Sequence, residues 1–161
     1  MSAGMLYIHS TPPALCPHLE WAVAAELGTR ARLSWADQPC TTGQLRTELC
    51  WRGRPGTAGR LAAALRGWPG VRYEVTEEPS PGVDGERYSV TPSLGVHRTV
   101  VGANGDIQVG EDRLRALLAT ASGAALALGL DTLLGSAWDD ELEPYRTAGD
   151  GAPVTWLHQV V

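Results

Sequence analysis

The chain opens on a short apolar run, Met5-Leu6-Tyr7-Ile8-His9, which stops at Ser10-Thr11-Pro12-Pro13 and reads as a central strand. Leu15, Leu19, Val23 and Leu27 then recur every four residues, with Ala22 beside them, and predict a helix with one buried stripe. Pro17 suits its first turn and Gly28 its end. Strict alternation follows three times. Ala31, Leu33 and Trp35 oppose Arg32 and Ser34. Leu45, Thr47, Leu49 and Trp51 oppose Arg46, Glu48, Cys50 and Arg52. Val71, Tyr73 and Val75 oppose Arg72, Glu74 and Thr76. A period of two predicts strands with one packed face and one polar face. Between the last two strands, Ala58, Leu61, Ala62 and Leu65 predict a helix from Thr57 to Arg66. The order strand, helix, strand, strand, helix, strand over residues 1–78 predicts a ferredoxin-like βαββαβ unit, its helices on the apolar face.

Residues 79–161 continue as a ββαα-β region packed on the first unit, so the fold class is α+β and the two parts share one compact domain. Glu86–Thr91 and Val96–Val101 read as strands, and Gly102-Ala103-Asn104-Gly105 as a turn leading to Asp106–Val109. Glu111 and Asp112 open a helix expected to turn Leu114, Leu117, Leu118 and Ala121 inward. A longer helix runs from Ala124 to Glu143, interrupted in character by Gly129 and Gly135 and ended by Pro144. Val154–Val161 reads as a last strand.

Composition narrows the function classes. The chain has 161 residues, 43% hydrophobic and 19% charged, enough apolar material for a core. A net charge of −5 and the lack of a basic stripe argue against a nucleic-acid partner. All 13 basic Lys/Arg positions are arginine, so neither a Schiff-base lysine nor a P-loop lysine is available. Three cysteines without a CxxC, and no signal-like or membrane-length apolar run, predict a reduced cytoplasmic protein that does not enter a membrane.

Four clusters are candidates for chemistry. Gly53-Arg54-Pro55-Gly56-Thr57-Ala58-Gly59-Arg60 lies where a strand meets a helix. Its Gly56, Thr57 and Gly59 backbone with Arg52, Arg54 and Arg60 suits a small anion at a helix N-terminus, against the plainer reading of a tight turn with solvated arginines. Tyr7, His9, Arg46, Glu48, Arg72 and Glu74 share the polar sheet face, either as a ligand surface or as a row of cross-strand ion pairs. His9, Cys16 and His18 flank the first strand-to-helix loop, but two-residue spacing and the lack of a fourth ligand disfavour a metal. Asp139, Asp140, Glu141 and Glu143 gather toward a predicted helix C-terminus, where the dipole disfavours them. They read as a surface for a cation or a basic partner, or as acids paired with Arg146.

Several segments taken together resemble a known family. They are His9-Ser10, Ala14–Val23, Arg54–Ala58, Glu78–Pro92, Gly102–Ile107, Trp138–Pro144 and Ala152–His158. The chain resembles an uncharacterised actinobacterial family, a domain of unknown function, over nearly its whole length. That resemblance assigns no catalytic residues and no cofactor. It implies an actinobacterial cytosolic protein and a place near fatty-acid synthesis.

The expectation is a non-catalytic ligand-binding, protein-interaction or regulatory protein. Its partner is a protein or a small anionic ligand, and a homo-oligomer is compatible. The alternative is a small cofactor-free enzyme using His9, His18 or the acidic cluster. A pocket around one of those histidines favours the enzyme, and a large apolar surface patch favours an assembly subunit.

Overall fold

Leu6 and Ile8 are fully buried and Tyr7 and His9 nearly so, which makes the first strand, β1 (Ser2–Thr11), the middle of the fold rather than its rim. The computed structural model describes residues 1–148. Across them the chain is α+β, with seven strands in one antiparallel sheet and five α-helices. After β1 come a 3-10 turn at Pro13–Leu15 and α1 (Cys16–Leu27), then β2 (Ala36–Asp37), β3 (Leu45–Gly53), α2 (Thr57–Arg66) and β4 (Arg72–Glu77). The second half supplies β5 (Gly85–Thr91), β6 (Gly95–Val101), β7 (Ile107–Gln108), α3 (Glu111–Thr120), α4 (Gly123–Leu134) and α5 (Ser136–Thr147). Spatial order is β2-β3-β1-β4-β5-β6-β7, so the second half continues the sheet of the first.

One face of the sheet carries the main core. Leu6, Ile8, Trp51, Tyr73, Val75 and Val90 meet Leu19 and Val23 of α1 and Ala58, Leu61 and Leu65 of α2. Tyr73 brings a hydroxyl into this core and donates it to Ala62 O at 2.6 Å, so the buried polar atom is satisfied. The other face is packed by α5, which touches β1 and β5.

Three local expectations are corrected. Residues 31–35 alternate in burial, with Leu33 buried and Arg32 and Ser34 exposed, yet they lie outside the ladder and only Ala36 and Asp37 pair with β3. Leu33 joins the core and Trp35 donates Nε1 to Glu20 of α1 at 2.8 Å, so side-chain packing alone accounts for the alternation. The long helix predicted over 124–143 is two helices. Gly135 adopts φ +76, and a Cβ there would lie 2.5 Å from the His97 ring, so the chain breaks at the one residue type that fits. Pro144 sits inside α5 and does not end it. The residues after it are held from outside, Tyr145 by Gln38 and Thr41 and Arg146 by Glu74. The strand expected at Val154–Val161 lies outside the described residues.

Candidate functional site

Parity along β1 sends Tyr7 and His9 to the face opposite the main core. There their rings stack at 5.9 Å, 6° from parallel. The strand's register is irregular at this point: Ile8 pairs with Thr47 and Tyr73, and the next pairs are Thr11–Leu45 and Ser10–Arg72. A bulge re-aims a side chain, and His9 occupies this one. Its Nε2 lies 2.7 Å from Oε2 of Glu74, whose side chain is fully buried. An ionised carboxylate only accepts, so Nε2 carries the proton in this bond.

Arg146 of α5 closes the cluster. It contacts Glu74 through two nitrogens, Nε to Oε2 at 3.0 Å and Nη2 to Oε1 at 2.5 Å, a bidentate pair. Ser89 donates to Oε1 at 3.1 Å, so His9, Arg146 and Ser89 together surround both carboxylate oxygens. Arg146 also binds Asp139 at 2.9 Å and Glu143 at 3.2 Å, both on its own helix, and Asp139 reaches Arg87 of β5 at 3.6 Å. Burial pushes the Glu74 carboxyl up, but the His9 bond and the Arg146 guanidinium outweigh it and hold the group at about 2. Burial works against the Arg146 charge, and Glu74 and Asp139 more than offset it, raising its pKa. Tyr7 is pushed up to about 12 by burial and by the nearby Glu48, Cys50 and Glu74 charges.

A second layer fixes α5 on the sheet. Arg72 lies over the Tyr145 ring at 4.6 Å and donates to Glu141 at 3.3 Å, and Ser93 donates to the same carboxylate at 2.6 Å. At the other end, Trp138 stacks on His97 at 4.7 Å and donates Nε1 to Gly95 O at 3.0 Å.

The structure therefore brings two predicted clusters together. Tyr7, His9, Arg72 and Glu74 of the polar face meet Asp139, Glu141 and Glu143 of the acidic one. Glu48 and Asp140 stay exposed outside the network, and Arg46 is half-buried. The acids do not lie at a helix C-terminus. The break at Gly135 puts Asp139 in the first turn of α5, where the dipole favours its charge. Arg146 is the central residue that sequence reasoning used only as a counter-ion. Its signal is periodic: Asp139 and Glu143 lie seven and three residues before it, on its own side of the helix.

His9, Cys16 and His18 do not gather. His9 faces α5, whereas Cys16 and His18 begin α1 on the opposite face of the sheet. There the His18 ring stacks on Trp68 at 4.9 Å, and burial raises the Cys16 thiol. Among the described residues no group of three His, Cys, Asp or Glu side chains is placed to hold a metal ion.

At the arginine-glycine loop the N-terminal amides of α2 already have an anion. Gly56 and Ala58 donate to the two oxygens of Glu77 at 2.9 and 3.0 Å. Arg60 bonds Thr57 at 2.6 Å, while Arg52 and Arg54 are exposed and Gly59 packs against the Tyr88 hydroxyl. Glu77 thus serves as a remote cap. Glu77→Gln is expected to lower stability by about 1–2 kcal/mol, by analogy with lost caps and weakened charged hydrogen bonds, read as a lower midpoint in urea. An unchanged midpoint would remove Glu77 from this role.

The family model described as "protein of unknown function (DUF3145)" matches residues 5–159. The chain belongs to the DUF3145 family. Neither the curated proteins nor the solved structures hold a match to it. In this DUF3145 member the Glu74 and Arg146 side chains at the centre of the network are 0% and 2% exposed. Cavities of about 450 and 290 Å³ open elsewhere on the molecule, and one of about 470 Å³ reaches the rim of the network at Arg87 and Asp139, but none of the three is lined by His9, Glu74 or Arg146. No helix among the described residues is long and apolar enough to cross a membrane.

Proposed function

We propose that this chain is a non-catalytic interaction protein that assembles with a second copy of itself through the hairpin of α3 and α4. The exposure of that hairpin carries the reading. The inward stripe expected of Leu114, Leu117, Leu118 and Ala121 has no core to meet: none of the hairpin's residues is buried, and Leu118 and Leu128 are 65% and 69% exposed. Apart from Asp131 and Thr132, every α4 position is Gly, Ala or Leu. A helix apolar all round belongs in an interior or an interface. The same two helices expose Glu111, Asp112 and Asp131 together with Arg113 and Arg115. A surface bearing both signs suits a two-fold pairing with itself.

Sedimentation velocity on the full chain tests this. The expected result is a dimer that Leu128→Arg shifts to monomer at the same concentration. The reading fails if the wild-type chain sediments as a monomer throughout the micromolar range, or if Leu118→Arg and Leu128→Arg both leave the dimer intact.

The rival, a small cofactor-free enzyme, is favoured by one observation, the 2.7 Å contact between His9 and Glu74. Against it, both side chains are almost wholly buried, and the acid that would act on a substrate is held by Arg146. At fold level we read β1-α1-β2-β3-α2-β4 as a ferredoxin-like unit. The order β2-β3-β1-β4 with antiparallel neighbours supports that reading, and β5–β7 lengthen the sheet beyond it.

A further inference from the structure

The corner between β6, β7, the start of α3 and Leu133 of α4 forms an open cavity of about 450 Å³, within the size range of small-ligand sites. Gly110 precedes α3 in extended conformation and, having no side chain, does not cap the helix. Arg113 and Leu114 donate their amides back to Gly110 O, and the amides of Glu111 and Asp112, one and two places into the helix, come too early for an intrahelical acceptor.

Two side chains in the same lining point to a ligand that would use those amides. Thr99 is only 6% exposed, and its buried hydroxyl has no hydrogen-bond partner among the described residues. A buried hydroxyl left in that state is costly, and a ligand oxygen would satisfy it. Arg113 is exposed and has no carboxylate partner among the described residues, whereas the neighbouring Arg98 is paired with Glu86. The lining also contains two acids. Glu111 is engaged by Arg115 at 2.7 Å, which leaves Asp112 as the charge opposing an anion.

We propose that this corner binds a small oxyanion, a carboxylate or a phosphate, held by the Arg113 guanidinium, the Thr99 hydroxyl and the first amides of α3. Helix N-termini favour negative charge, and a guanidinium fits both kinds of oxyanion in the same planar way. The site adjoins the helix faces invoked for assembly, sharing Glu111, Asp112 and Arg113 with their exposed charges and Leu133 of α4 in its lining, but ion binding does not require the second copy.

The test is a titration of the ¹⁵N-labelled full chain with inorganic phosphate and, separately, with acetate, against chloride at the same ionic strength. Saturable shifts of the Glu111 and Asp112 amide signals are expected. Phosphate alone, acetate alone or both producing them assigns the ligand class. Arg113→Ala should weaken binding by about tenfold, the loss of one charge-assisted contact. Thr99→Val should weaken it, and Asp112→Asn should strengthen it. Arg52→Ala, a surface arginine elsewhere, should leave it unchanged. The proposal is overturned if neither ion gives a saturable shift, if Arg113→Ala binds as the wild type does, or if Arg52→Ala weakens binding equally.

Discussion

Arg146→Ala is expected to cost about 3–5 kcal/mol of folding stability, the range for removing one partner of a buried ion pair. The guanidinium is 2% exposed and the carboxylate it neutralises is fully buried. Its removal leaves Glu74 with His9 and Ser89 as its remaining bonded partners on that face, and leaves Asp139 and Glu143 as adjacent like charges on α5. A single domain has only about 5–15 kcal/mol in total, so the variant should be partly unfolded at warm temperature. Urea denaturation followed by far-UV circular dichroism measures the loss. A loss under about 1 kcal/mol would mean that the contact behaves as a surface pair does. The double variant Arg146→Met with Glu74→Leu separates charge from packing. Removing both partners should recover much of what the single change loses, because no unpaired charge stays buried.

Acid should unfold the protein through the same carboxylate. Glu74 is held at about 2 in the folded chain against an ordinary 4.5. As pH falls through 4.5 the unfolded chain takes up the proton first, so the folded state loses ground between there and about pH 2, and the contribution is whole above 4.5. The difference corresponds to on the order of 3 kcal/mol. Glu141 is lowered as well, by Ser93, Thr91 and Arg72 against the effect of its own burial, and adds in the same direction. Urea midpoints between pH 6 and pH 2.5 should fall steeply below pH 4.5, and Glu74→Gln should flatten that fall. An equally steep fall in Glu74→Gln would place the acid sensitivity in other groups.

Much of this was legible in the pattern of the chain. The four-residue stripe of α1, the alternation of β3 and β4 and the turn before β7 set out most of the elements, because each depends on neighbours close in sequence. The errors share a physical origin. Ala31, Leu33 and Trp35 alternate as a strand does, but alternation reports burial, and burial can be met by a loop lying on a core. Gly135 was visible as a weak point in a helix. That it breaks the helix depends on the His97 ring, which comes from another element, β6. Most candidate residues of the two predicted surfaces lie in or beside one buried network. Their meeting was hidden, since Glu74 and Arg146 are 72 residues apart and only the packing of α5 on the sheet joins them. The buried acid that caps α2 was hidden for the same reason.

The sheet ends in strands of two residues on both sides, β2 and β7. They cover little of the strands behind them: β2 pairs only with Leu45 and Arg46 of β3, and β7 only with Val100 and Val101 of β6. Thr47–Gly53 and Gly95–Thr99 therefore have no strand partner on their outer side among the described residues. Such a row of amides and carbonyls is a template for another strand unless something blunts it. Exposed charges stand along both rows, Glu48 and Arg52 on β3 and Arg98 on β6. Protection of this sheet against pairing with another chain rests on charge at those positions rather than on short edges.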